Sequence, residues 1–237
     1  YEIAQCLVGS EMCIRDSRNT TIHAIIFEQK HPRNDTGMFQ IFERINTGGR
    51  TLKAQEIRNC VYQGKCNDLL FELNKRNSWR RILGLDVEDS RMADLELILR
   101  YFAMRDLHIR NEGQLKQINL AKYLNQYMSD KTRTTEEDIL NMKQDFIQMI
   151  DKVFELFGKT AFKNLKKESE NFASRINPAI FDAISVATSY AIKTGVEFTQ
   201  EDYLEKYKSL LKNEEFLRAS SSRTCLLYTS PSPRDTE

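Results

Sequence analysis

A long helical repeat of apolar residues is the feature that most constrains the fold of this chain. Between residues 136 and 157 apolar side chains recur every three or four positions, at Ile139, Met142, Phe146, Met149, Val153 and Phe157. This spacing places them on one face of an α-helix, and that face must be buried against other elements. Thr135 with Asp138 is typical of a helix start, and Gly158 of a helix end. The pattern predicts a core helix over 136–157.

Further helices are predicted on both sides of this one. The segment 92–104 is strongly apolar and is expected to lie at the centre of the core. Asn177 followed by Pro178 is a typical helix start, because a proline at the first helical position needs no backbone hydrogen bond. Thr199 opens the last predicted helix, which runs to about residue 211. The later part of the chain is therefore predicted to be helical almost throughout.

The earlier part of the chain mixes strand and helix. The β-branched and apolar run at 20–28 predicts a strand. A short helix over 38–45 is followed by a polar loop over 47–51. A second helix is predicted over 53–62, and Gly64 is expected to end it. This order of elements indicates part of an α/β domain.

The two ends of the chain are related to each other as DNA. Residues 225–235, CLLYTSPSPRD, back-translate into a segment whose opposite strand encodes VGSEMCIRD, which is residues 8–16. Selection on a protein does not produce such a relation, whereas a translated sequencing adapter does. We therefore set aside 1–17 and 225–237 as adapter-derived. The remaining chain is expected to be truncated at both ends.

The predicted fold class is α+β and mostly α, with a remnant α/β domain over 18–65 and a helical domain over 66–224. The formal net charge of +1 argues against a global attraction to nucleic acid. Cys60 and Cys66 lack the spacing of a disulfide framework or a zinc site. No apolar run is long enough to cross a membrane. A cytoplasmic protein with no membrane partner and no metal site of its own is predicted.

The polar loop carries the residues best suited to chemistry. Gly48 and Gly49 allow the backbone to approach a bound anion closely. Asn46 is suited to orient a phosphate or a metal ion, and Arg44 to pair with a phosphate through two hydrogen bonds. Glu56 on the following helix is close enough in sequence to reach the same site. The alternative is a turn between two helices, with glycines that serve its geometry and charges that are solvated. Spacing alone leaves the two interpretations evenly balanced.

Histidines give no sign of a catalytic or metal centre. His23 lies in the predicted strand, His31 beside a proline, and His108 at the end of a predicted helix. A nuclease or hydrolase centre needs several such ligands at close spacing. We interpret all three as structural or surface residues, and the catalytic residues stay unknown.

Two basic stretches are candidates for contact with nucleic acid. Trp79 stands among Arg76, Arg80 and Arg81, a pattern that allows stacking on bases. The second stretch contains four lysines: Lys159, Lys163, Lys166 and Lys167. The alternative interpretation is a solvated charged face in both cases, with Trp79 anchoring the helical core, and this alternative is favoured.

A family resemblance covers most of the chain. The string IFERINTGGRTLKAQEIRNCVYQG, residues 41–64, resembles the hallmark segment of the GmrSD-type restriction endonuclease N-terminal domain family. The preceding run TTIHAIIFEQKHP is similar to the strand before that segment. RMADLELILRYFAMRD, FGKTAF and INPAIFDAIS are similar to the helical half of the family. The resemblance therefore spans residues 18–224.

The resemblance implies a ParB/sulfiredoxin-like domain that binds or hydrolyses a nucleoside triphosphate with Mg²⁺ and controls a DNA nuclease in defence against phage. The implied partners of the intact system are DNA and a nuclease domain or subunit. The family's Asp-Gly-Gln-Gln-Arg motif is missing here, as is a His-Asn-His nuclease centre. Whether this chain is itself an enzyme is therefore left open.

The nucleotide box of ParB proteins gives a residue-level comparison. That box reads Glu-Asn-x-x-Arg-x-x-Leu-x-x-x-Glu, and Asn46, Leu52 and Glu56 keep its spacing. Ile45 and Gly49 stand where the acidic residue and the arginine are expected. The missing arginine has to come from elsewhere, and Arg44 and Arg50 are the candidates. The residues implied to bind the nucleotide are Arg44, Asn46, Gly48, Gly49, Gln55, Glu56 and Arg58.

Two functions follow from the sequence. The first is a nucleotide-dependent regulatory or nuclease-associated protein of a modification-dependent restriction system. The second is a non-enzymatic helical scaffold that binds a partner protein or DNA, with a glycine loop that is purely structural.

Overall fold

The computed structural model describes residues 37–46, 51–85, 87–110, 119–131, 134–166, 171–196 and 200–221. Its helices are α1 Gly37–Ile45, α2 Ala54–Val61, α3 Lys65–Asn74, α4 Asn77–Leu83, α5 Ala93–Arg110, α6 Leu120–Lys131, α7 Glu136–Phe157, α8 Pro178–Thr194, α9 Gln200–Lys212 and α10 Glu214–Ser221. A 3-10 turn, Gly158–Thr160, precedes strands β1 Lys163–Leu165 and β2 Phe172–Ile176. The predicted class, α+β and mostly α, is confirmed.

The helix predicted from the long apolar repeat has the bounds expected of it. Thr135 caps α7, because its hydroxyl oxygen accepts a hydrogen bond of 3.2 Å from the Asp138 backbone N–H. Gly158 ends the helix at φ 55°, a backbone conformation that glycine adopts without strain. The predicted stripe is buried except for Ile139, which is half-buried. The prediction for 136–157 is confirmed.

The core lies where α5, α7 and α8 pack together, with α3 and α4 beside them. The apolar segment predicted at 92–104 supplies its centre, since Ile98, Leu99 and Phe102 on α5 are fully buried. Trp79 of α4 is 0% exposed and its ring lies 6.3 Å from Phe146 and 5.7 Å from Phe181. Such edge-to-face and tilted contacts are favoured geometries for aromatic pairs. Trp79 therefore anchors the core. This is the interpretation of Trp79 that the sequence analysis favoured.

Two local predictions were wrong. Gly64 does not end α2, because that helix closes at Val61 with the Tyr62 N–H bonded 2.8 Å from the Arg58 carbonyl. Instead Gly64, with φ 134°, directly precedes α3. The helix predicted to run to about residue 211 is present as α9, but it is not the last helix, because α10 follows it after a single residue, Asn213.

A short antiparallel hairpin interrupts the segment that was predicted to be helical almost throughout. Strand β1 pairs with β2, with Lys163 opposite Ile176 and Leu165 opposite Phe172 and an irregularity between the two pairs. The hydroxyl of Tyr207 on α9 accepts from the Lys163 N–H and donates to its carbonyl, both at 3.1 Å. A side chain 44 residues away therefore satisfies the backbone of β1. No local pattern predicts such a contact.

The described residues all belong to one unit, Pro32–Glu237. Phe39 of α1 and Ile57 of α2 belong to the same hydrophobic core as the helices that follow them. The predicted division into 18–65 and 66–224 stays a prediction. The strand predicted at 20–28 lies outside the described residues.

Among the described helices, none combines the length and the apolar character needed to cross a bilayer.

The aromatic centre of the core predicts a large cost for truncating one ring. Phe146→Ala removes a fully buried ring that contacts Trp79 and Tyr101, and it is expected to lower the free energy of unfolding by about 3–5 kcal/mol. Urea denaturation followed by the fluorescence of the single tryptophan measures this loss. Leu140→Ala, an exposed position on the same helix, is the control and should change stability by no more than about 0.5 kcal/mol. Equal losses in both variants would contradict this account of the core.

Candidate functional site

The glycine loop joins α1 to α2, and the structure describes its two ends. Helix α1 closes with the Asn46 N–H donating to the Phe42 carbonyl at 3.1 Å. Arg44 in the last turn is exposed, and Asn46 is half-buried. Gly48 and Gly49 lie outside the described residues. Two of the predicted site residues therefore stand at the end of α1.

Glu56 holds the start of α2 on the other side of the loop. Its carboxylate accepts a hydrogen bond of 2.6 Å from the Lys53 backbone N–H, as in half of a capping box. Arg91 Nε lies 3.3 Å from the same oxygen without a hydrogen-bonding orientation, so the contact is an ion pair. Arg91 also donates through Nη2 to the Thr51 carbonyl at 2.7 Å. Arg91, which the sequence did not single out, ties the chain just after the loop to α2.

Arg58 of α2 lies in the interior of the protein. Its side chain is 1% exposed. Nε donates to Asn125 Oδ1 on α6 at 2.7 Å, and Nη1 donates at 3.1 Å to both Gln55 Oε1 and Glu96 Oε2. The guanidinium also lies 5.8 Å from the centre of the Phe39 ring on α1. We call Gln55, Arg58, Glu96 and Asn125 the Arg58 cluster, which joins α2 to α5 and α6.

The Arg58 cluster holds a positive charge in the interior of the protein. Burial lowers the pKa of Arg58, while the nearby carboxylate of Glu96 acts in the opposite direction. An arginine keeps its proton in any folded protein, so a charge is held in the interior. Its counterion Glu96 stays about a third exposed, at 34%. Solvent thus reaches one side of the pair, which reduces the cost of burying it.

One buried donor of the cluster has no partner. Gln55 is 1% exposed, and its carbonyl oxygen is taken by Arg58. Its Nε2 amide has no hydrogen-bond acceptor among the residues that the structure describes. Exchanging the two amide atoms would place the NH₂ group against a guanidinium, so the orientation is determined by Arg58. Gln55 and Arg58 thus face each other inside the protein rather than a ligand outside it.

Helix α5 carries further buried ion pairs that sequence reasoning missed. Arg100 binds Asp182 of α8 through Nε and Nη2, with 3.1 Å between Nε and Oδ1. Burial raises the pKa of Asp182, and Arg100 opposes that shift. Arg105 pairs with Asp145 of α7 and with its neighbour Asp106. The signal was in the sequence, because charged residues inside a strongly apolar helix must be paired when they are buried.

The first basic stretch is engaged within the protein. Arg76 pairs with Asp151 at 2.5 Å, and Arg80 pairs with the buried Asp94 at 2.8 Å. The Arg81 guanidinium lies 4.6 Å from the centre of the Phe154 ring. These contacts connect α4 to its neighbours and give the arginines structural partners.

The second basic stretch and the histidines add no centre in the described part of the chain. Lys163 lies in β1, where burial lowers its pKa and Lys159 lowers it further. His108 contacts the Tyr190 ring edge-on at 6.3 Å. His23, His31 and Lys167 lie outside the described residues. In the described ranges no group of three or more His, Cys, Asp and Glu side chains could hold a metal ion.

No protein-family model, curated protein or solved structure matches this chain.

The predicted site residues fall into two sets. Arg44 and Asn46 stand at the end of α1, beside the loop. Glu56 holds the first turn of α2, and Gln55 and Arg58 lie in the interior below it. Of the five described site residues, Arg44 is exposed, Asn46 and Glu56 are half-buried, and Gln55 and Arg58 are buried. The second set supports the helix that follows the loop.

The two predicted arginines should differ sharply when they are removed. Arg58→Ala takes the cation from the Arg58 cluster and is expected to lower the free energy of unfolding by about 3 kcal/mol, because it leaves buried acceptors unpaired. Arg44→Ala is the matched control on the exposed end of α1 and should change it by no more than about 0.5 kcal/mol. Chemical denaturation of both variants measures the difference. If Arg58→Ala proved as mild as Arg44→Ala, the cluster would not hold α2.

Proposed function

We propose that this chain is part of a nucleotide-dependent regulatory or nuclease-associated protein that resembles the GmrSD-type restriction endonuclease N-terminal domains. In this proposal the glycine loop and the end of α1 form one wall of a site for a nucleoside triphosphate with Mg²⁺. The catalytic wall is contributed by sequence upstream. The intact system acts on DNA in the cytoplasm, together with a nuclease domain or subunit.

The observation that supports this proposal is the set of polar contacts that hold the chain on the C-terminal side of the loop. Arg91 and Glu56 hold the first residues after the loop, and the Arg58 cluster holds α2 against α5 and α6. A loop that binds phosphates through its backbone needs both of its ends fixed before the ligand arrives. A solvated turn has no such need. The buried polar cluster is costly to build, and it supports the helix immediately after the loop.

The residues available at the loop fit part of a nucleotide site. Arg44 is exposed and can donate two hydrogen bonds to a phosphate, and Asn46 offers an amide to a phosphate or to the hydration shell of Mg²⁺. Bound Mg²⁺ would supply charge neutralisation at the phosphates. Gln55 and Arg58 act in this proposal by positioning α2, not by touching the ligand.

Phosphate release from ATP or GTP with Mg²⁺ tests the proposal on a chain extended upstream by its genomic sequence. Asn46→Ala and Arg44→Ala should lower the rate at least about tenfold, with circular dichroism unchanged. Arg76→Ala is the matched control, since Arg76 is also exposed but pairs with Asp151 on another part of the surface. Hydrolysis that is unchanged in both loop variants would refute the assignment.

Glu56 needs a gentler substitution because it also holds α2. Glu56→Gln keeps an oxygen for the Lys53 N–H and removes only the charge. A loss of hydrolysis in Glu56→Gln with an unchanged melting temperature would place Glu56 among the groups that act on the nucleotide. A lower melting temperature with normal hydrolysis per folded molecule would give Glu56 a purely structural role.

The second candidate function is a helical scaffold that binds a partner protein or DNA. It is favoured by the internal partners of Gln55, Glu56 and Arg58, which make contacts within the protein. In this case calorimetry should detect no binding of nucleotide to the extended chain.

The scaffold also makes a prediction about the loop itself. Gly48→Ala should destabilise the protein about as much as Gly84→Ala, a substitution at φ 67° where a side chain costs about 1–2 kcal/mol of backbone strain. Thermal denaturation of the two variants provides the comparison. A Gly48→Ala variant that folds normally and loses nucleotide binding would exclude the scaffold interpretation.

A further inference from the structure

Two ion pairs join α5 to two different helices, and their positions on α5 are one helical turn apart. Glu96 is bound by Arg58 of α2, and Arg100, one helical turn later, is bound by Asp182 of α8. The four side chains alternate in charge along the series Arg58, Glu96, Arg100, Asp182. We call this series the charge ladder. It connects the helix after the glycine loop to a helix more than 100 positions later in the chain.

The four charges of the ladder act on one another as a group. Glu96 acts to raise the pKa of Asp182 as well as that of Arg58, and Arg100 acts to lower the pKa of Asp182 and that of Arg58. Tyr62 is a further titratable group that acts on Arg58. Arg58, Asp182 and Arg100 are at most 12% exposed in their side chains. Loss of one charge therefore leaves an unbalanced neighbour in a poorly solvated place.

The ladder has a second possible pairing. A carboxylate four residues before a basic residue on a helix is the favourable orientation for a pair within that helix. Glu96 and Arg100 have this spacing, so each is within reach of the other on α5. As long as Asp182 engages the Arg100 guanidinium through two nitrogens, Glu96 remains available to Arg58.

We propose that the charge ladder is a pair-exchange latch that couples the position of α8 to the docking of α2. When α8 withdraws Asp182, Arg100 turns to Glu96 on its own helix. Arg58 then loses its counterion and α2 loosens from α5. The two states differ in the ion-pair partner of Glu96, which is Arg58 in one state and Arg100 in the other.

Hydrogen exchange on the full chain tests the latch without any nucleotide, so its outcome is independent of the proposed nucleotide site. Asp182→Asn imitates the withdrawal of α8. Amides of 54–61 are expected to exchange at least about tenfold faster in this variant than in the wild type. Asp151→Asn, which breaks the exposed pair with Arg76, is the matched control and should leave 54–61 unchanged.

A double variant separates the latch from general destabilisation. Asp182→Asn with Arg100→Met removes the competitor for Glu96 together with the Asp182 charge, so 54–61 should return to wild-type protection. Protection that stays low in the double variant would overturn the proposal, whether or not the single variant folds. Wild-type exchange of 54–61 in Asp182→Asn would overturn it equally.

Discussion

The buried guanidinium of Arg58 is the interaction on which the N-terminal helices of this protein depend. It connects α2 to α5 through Glu96 and to α6 through Asn125, and it lies near the Phe39 ring of α1. An apolar side chain at this position would bury surface area but would not fix the orientation of α2. The guanidinium instead has five N–H donors in a rigid plane, so the acceptors around it must lie in defined directions. The rotation of α2, and with it the point where the glycine loop ends, follows from that geometry.

Helix α5 extends the same principle through the core. Its apolar residues fill the centre of the protein, while Glu96, Arg100 and Arg105 each bind a different neighbouring helix. Buried pairs add little net stability compared with well-packed apolar residues, but an arrangement that separates them is strongly penalised. Helix α5 is therefore fixed in rotation by charge as well as by packing.

Particular elements show where sequence reasoning succeeds. The repeat at 136–157 predicted α7 with the correct bounds, because the apolar face, the N-terminal cap and the terminal glycine all indicate the same helix. Asn177 predicted the start of α8 and caps it, with its side-chain oxygen 2.9 Å from the Ala179 N–H. The hairpin of β1 and β2 could not be predicted, because the hydroxyl of Tyr207 satisfies the strand from a distant helix. Pairing partners of Arg58 and Arg100 were hidden for the same reason: they lie on other helices.

The sequence by itself determined the helical character of this protein, the positions of its core helices along the chain and the presence of a polar glycine loop between α1 and α2. These depend on local periodicity and capping, which act over a few residues. Only the tertiary structure decided that Gln55 and Arg58 turn inward while Arg44 stays exposed at the loop. Burial thus separates three residues that were assigned to one nucleotide site from the sequence. The physical reason is that a charge takes its role from the partners that surround it, and those partners are brought together only by folding.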